Sequence, residues 1–126
     1  MRFISIVLFV LCSNTAIACE CVTLPLAYRT QVSEAIFLGE IVSYGTNSIE
    51  LHVLETFKGQ LNAQITIHTG TSMCDYFFPG VGQPGSRFLI FMNIKDGQQN
   101  VSQCLGSAPE SSAAEEIKFL RTAVPK

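Results

Sequence analysis

The sequence has no cluster of lysines and arginines. Arg29, Lys58, Arg87, Lys95, Lys118, Arg121 and Lys126 are scattered along it, and the formal net charge is -2. A phosphate-binding face needs basic residues gathered together, so no nucleic-acid partner is expected. The two histidines, His52 and His68, stand isolated in apolar-alternating stretches, and no Ser, His and Asp set stands out. Binding rather than catalysis is therefore expected, and no cofactor is implied. Cys74 and Cys104 are single, without a neighbouring Cys or His at finger-like spacing, which argues against a structural zinc. There is no internal repeat, low-complexity tract or linker, as suits one domain. The longest amino-terminal apolar run, Phe3 to Leu11, is too short for a comfortable membrane span.

That run has another reading. Arg2 supplies a positive start, the run follows, and Ala16-Ile17-Ala18 is a small-x-small cleavage site. This is the three-part pattern of a secretory signal peptide over residues 1–18. It predicts a secreted or periplasmic protein formed by a single domain over residues 19–126. Thr15 to Cys19 also loosely fits a bacterial lipobox, with Ala16 where leucine is usual. In that alternative Cys19 carries a lipid and the protein is membrane-anchored.

With the leader goes Cys12. Cys19, Cys21, Cys74 and Cys104 remain, an even number in an exported chain, which reads as two disulfides. Of the three possible connectivities, a Cys19–Cys21 bridge would close a strained small ring, so both cysteines should reach out to Cys74 and Cys104. The residues Cys19-Glu20-Cys21-Val22 would then be a stiff chain terminus, against the usual looseness of chain ends.

Along the chain, Ala27, Tyr28, Val32 and Ala35 have rough helical spacing. Ala35 to Val42 reads as a strand with a bulge or tight bend at Gly39. A turn at 44–48 leads to a half-buried strand in which Ile49, Leu51 and Val53 alternate with Glu50, His52 and Leu54. Phe57 to Gln60 breaks it. Ala63 to His68 is a third strand, with Ile65 and Ile67 on one face. The stretch from Met73 to Phe78 is either an exposed contact surface or a half-buried loop.

Arg87 to Ile94 should be the central strand, buried on both faces. Asp96-Gly97 signals a hairpin, with Gln99 to Gln103 as the returning strand that delivers Cys104. A last helix is predicted from Ser111 or Ser112 as cap, with Ile117 and Leu120 facing the core. Asn100-Val101-Ser102 matches a glycosylation sequon, relevant in a eukaryotic source. Five strands, glycine bends and flanking short helices predict a mainly β fold, a five-stranded OB-type Greek-key barrel, with a β-sandwich as the alternative.

Mature Cys-x-Cys-Val at Cys19 to Val22, Ser72-Met73-Cys74, Phe57-Lys58-Gly59, the Phe88 to Ile90 strand and the late Cys104 come in an order and spacing that resembles the netrin-like family. Within it the chain looks most like the inhibitory domain of the tissue inhibitors of metalloproteinases. The resemblance implies an OB-type fold and the pairings Cys19–Cys74 and Cys21–Cys104. It also implies a protease-binding ridge of Cys19, Glu20, Cys21, Val22, Ser72 and Met73. There the α-amine and carbonyl oxygen of Cys19 would chelate the zinc of an extracellular partner protease, and Glu20 would enter its specificity pocket. The chain departs from the inhibitors in carrying Glu20 where they have Thr or Ser, and in lacking their third disulfide and second domain. The first function expected is thus an exported metalloprotease inhibitor. The alternative is a non-inhibitory exported interaction module, lipid-anchored at Cys19 in one form. A third reading is a thiol-redox or metal carrier using Cys19 and Cys21.

Overall fold

A computed structural model of the chain describes residues 21–69, 74–76, 83–95 and 97–123. The expected leader therefore lies outside the described residues. Among the described residues there are six strands: β1 (Ala35–Gly45), β2 (Ser48–Lys58), β3 (Gln64–His68), β4 (Arg87–Lys95), β5 (Gln98–Asn100) and β6 (Ala108–Pro109). Helix α1 (Leu26–Val32) precedes them and α2 (Ala114–Ala123) follows. The strands are ordered β1-β2-β3-β5-β4, and β4 pairs back onto β1 to close the ring. All of these pairings are antiparallel except β3 with β5. The fold is a closed five-strand mixed barrel of OB type with one extra strand and two short helices.

The apolar run in β4 exists because both of its faces are covered. Phe88, Ile90 and Met92 join Phe37, Ile41, Leu51 and Ile67 in one core cluster. Leu89 and Phe91 belong to a second cluster with Ile36, Leu38, Leu105, Ile117 and Leu120. Alternate residues of a strand point to opposite faces, so β1 and β4 each serve the barrel interior and the layer beneath α2. Ile117 and Leu120 are buried as expected, with Phe119 half-buried beside them. Arg121 fixes the far end of α2, its Nε 3.1 Å from both Glu55 carboxylate oxygens.

Gly39 marks a break in the β1–β2 register, between Leu38 and Gly39. A Cβ there would lie 2.9 Å from the Phe37 ring and 3.2 Å from Leu51 Cδ2. The sequence-predicted bulge is thus present, and the missing side chain makes room for Phe37 inside the barrel. The β4–β5 hairpin also forms as expected, closing at Lys95 and Gln98.

Three expectations need correction. The returning strand does not run to Gln103: β5 ends at Asn100, and Gln103–Leu105 form a 3-10 turn. Ser102 accepts the Cys104 N–H through its side chain, the kind of local bond that competes with a sheet ladder. Ser111 and Ser112 do not open α2. They belong to a 3-10 turn over Glu110–Ser112, and the helix begins at Ala114. The predictions also missed β6. It has two residues, includes Pro109, and pairs with Phe88 and Leu89 of β4, too little for any periodic signal to mark.

Candidate functional site

The described cysteines, Cys21, Cys74 and Cys104, gather at one end of the barrel. The segment 74–76 lies alongside 101–103. The Tyr76 N–H donates to the Val101 carbonyl and the Gln103 N–H to the Cys74 carbonyl, each at 2.7 Å, and Asp75 pairs with Ser102 as an isolated antiparallel bridge. These links hold Cys74 next to the turn that carries Cys104. Cys104 is bonded to Cys21, with Cα atoms 5.0 Å apart and 83 residues between them in sequence. Cys74 is also disulfide-bonded.

The Cys21 bridge matches the pairing implied by the resemblance. It draws the start of the described chain onto the barrel wall, where Cys21 is exposed and Val22 is 78% exposed. The other expected ridge residues, Cys19, Glu20, Ser72 and Met73, lie outside the described residues.

Asp75 and Asn100 form the polar floor beneath this end. Asp75 is buried, and Asn100 Nδ2 donates to its Oδ1 at 2.8 Å. A buried carboxylate requires such a partner. The same bond answers the sequon: the Asn100 amide is buried and already engaged, so the folded chain does not offer it for glycosylation. Tyr76 leans edge-on against Phe88, with ring centroids 6.4 Å apart, and burial pushes its phenol up to about 12.

Arg29 is the residue that sequence reasoning overlooked, having counted it only among scattered charges. Its Nε donates to the Leu24 carbonyl at 3.2 Å and one terminal nitrogen to the Leu105 carbonyl at 3.1 Å. Its guanidinium carbon sits 5.1 Å from the centre of the Phe91 ring, within cation–π range. Arg29 thereby clasps the segment after Cys21 to the turn holding Cys104, a second tie parallel to the disulfide. Gly106 follows that turn with φ of 81°, and a side chain there would run into the Arg29 guanidinium. The signal available in the sequence was slight: one charge in the otherwise uncharged helix LAYRTQV, which buries none of its residues.

His52 is exposed on β2, and His68 is half-buried at the end of β3. Among the described residues, no three His, Cys, Asp or Glu side chains lie close enough to hold a metal ion, and no helix is long and apolar enough to cross a membrane.

Fold and site together define an OB-type barrel with the segment at Cys21 stapled to one end. No family model and no curated protein matches the chain.

Proposed function

We propose that the chain is an exported netrin-like binding domain whose stapled amino terminus docks into the active site of an extracellular zinc metalloprotease. The observation that carries this reading is the Cys21–Cys104 bridge beside disulfide-bonded Cys74, with Val22 projecting into solvent. Such cross-links lower the ordering cost of binding. In this reading Cys19, freed by removal of residues 1–18, presents its α-amine and carbonyl oxygen to the partner's zinc. A catalytic zinc keeps an open position, and an α-amine titrating at about 8 is readily neutral enough to fill it. Val22 and the Ser72-Met73 loop flank the chelating group.

Glu20 sets the specificity. A carboxylate entering a closed pocket is costly unless paired, so the reading requires a target with a basic pocket. The same residue favours the second reading, a non-inhibitory module anchored by lipid at Cys19, because the inhibitors have Thr or Ser there.

The test compares the native protein with a form carrying one extra Ala before Cys19, against a panel of zinc endopeptidases. The addition moves the amine and fills the space the zinc must occupy, while lying outside the barrel core. Inhibition should be lost with little change in Tm; equal potency of the two forms would sink zinc chelation. Glu20→Thr should weaken inhibition of a protease with a basic pocket and strengthen it where the pocket is apolar. Mass spectrometry of the exported protein separates the classes. A free Cys19 terminus in a disulfide supports the inhibitor, an acylated Cys19 the anchored module, and reduced thiols the carrier.

A further inference from the structure

Next to Cys74 the surface dips into an open recess of about 460 Å³, between the end of α1, the start of β1 and the β4–β5 hairpin. Its lining combines two kinds of residue. Val32 and Ile94 are apolar yet 39% and 50% exposed. Glu34, Asp75, Asn93 and Asn100 are polar, and none of the described residues that line the recess is basic. Glu34 is exposed and Asp75 buried, so one carboxylate stands toward solvent and one lies deep. The Asn100 amide donates to Asp75, an orientation that leaves an acceptor, Oδ1, as its other polar atom. Lys58 does not line the recess. Its Nζ sits on the carbonyls of Thr30 and Gln31, 2.9 Å from each.

We propose that this recess receives a lysine or arginine side chain from the protein partner. The proposal rests on the reading of the neighbouring stapled terminus as a docking ridge and adds a charge requirement to it. Three occupants can be compared on the lining alone. A wholly apolar side chain would strip water from Glu34 without giving it a partner. A bare metal ion would gain nothing from Val32 and Ile94. A long basic side chain meets both demands, laying its methylenes on the apolar rim and its charged head against the exposed Glu34 carboxylate. The same sign of charge is asked of the partner by Glu20, one residue before Cys21 in the sequence.

The experiment is a titration of isotope-labelled protein, followed by amide NMR, with the capped tripeptide Leu-Arg-Leu and its Leu-Gln-Leu and Leu-Glu-Leu counterparts. The arginine peptide should shift the amides of Glu34, Ile94 and Asn100, and the shifts should shrink as ionic strength rises. Glu34→Gln should weaken that binding about fivefold, as for loss of one partly screened ion pair. Ile94→Ser, at an exposed position, should also weaken it. Glu115→Gln, on the exposed face of α2, should leave it unchanged. An equal response to the three peptides, shifts mapping elsewhere, or no response would overturn the proposal. The peptide does not depend on zinc. The Ala-extended protein should therefore still bind it, even where inhibition is lost. Conversely, a silent recess in a protein whose inhibition depends on the Cys19 amine would remove only this inference.

Discussion

On one side of the barrel, β1, β2 and β4 run for eleven, eleven and nine residues, paired by long antiparallel ladders. On the other, β3 and β5 have five and three residues and meet at one parallel pair, His68 with Asn100. The long side is held by backbone pairing and two apolar layers. The short side shares the barrel interior through Ile65, Ile67 and Val101 and adds the Asn100–Asp75 bond, the 74–76 to 101–103 links, the Arg29 clasp and a disulfide. Cross-links can fix a surface that stays exposed, whereas an apolar core must hide what it fixes. Cys21 and Val22, the described residues of the candidate ridge, are exposed and lie where the cross-links hold the chain.

The comparison predicts where damage spreads. Phe37→Ala removes a fully buried ring from the barrel interior and should cost roughly 3–5 kcal/mol, the range for a large aromatic truncated in a core. The loss should appear as a lower urea midpoint, with amide protection falling over the whole barrel. A loss confined to the cysteine end would mean that the two sides do not share a core.

Replacing Cys21 and Cys104 together by Ala should destabilise by about 2–5 kcal/mol, the usual range for a small secreted domain. Here the expected signature is local. Amide exchange should rise most at residues 22–24 and 101–106, while β1, β2 and β4 lose protection only to the extent of the global destabilisation. Uniform loss of protection would make the bridge part of the core rather than a staple on it, and an unchanged midpoint would mean that it contributes nothing.

The division between the two sides also tracks how much the sequence reveals. β2, β3 and β4 were legible because their periodicity reports burial: Ile49 and Leu51 alternate with exposed or half-buried neighbours, and Phe88 to Met92 is apolar on both faces. The Gly39 bulge and the Asp96-Gly97 hairpin were legible from backbone chemistry. At the cysteine end the count and spacing of cysteines pointed to stapling, but the partner of Cys21 came from the resemblance alone. The roles of Arg29, Asp75 and Asn100 could not be read, because they act across 76 residues in the Arg29–Leu105 bond and 25 in the Asn100–Asp75 bond. Such partners leave no periodic trace. The early end of β5 was hidden for a related reason: Ser102 bonds its own turn rather than a strand.

Arg29→Met tests the polar tie separately from the covalent one. The methionine keeps an apolar stem near Phe91 but loses both carbonyl bonds, at an expected cost of about 1–3 kcal/mol. Exchange should quicken around Leu24 and Leu105 and stay unchanged in β2. If the disulfide already fixes this segment completely, neither exchange nor stability will move, and the clasp is redundant.

The smallest effect expected is a titration. Tyr76 sits where the two sides meet, packed on Phe88 of β4 and bonded through its amide to Val101. Burial disfavours its phenolate and raises the pKa from 10.0 to about 12. The fold thus favours the protonated ring, while an unfolded tyrosine titrates at about 10. Between these values the unfolded chain releases a proton that the native chain retains, so the stability gained from this group is complete below the lower value and is lost as pH climbs through the higher. Of the three tyrosines in the sequence, Tyr76 should give a late component in a phenolate absorbance titration of the folded protein, and Tyr76→Phe should remove it. The same variant should show a shallower fall in Tm over that alkaline interval. A titration curve whose late portion survives the substitution would show that Tyr76 is wetted at the junction, and that the short side of the barrel is more open there than its packing against Phe88 implies.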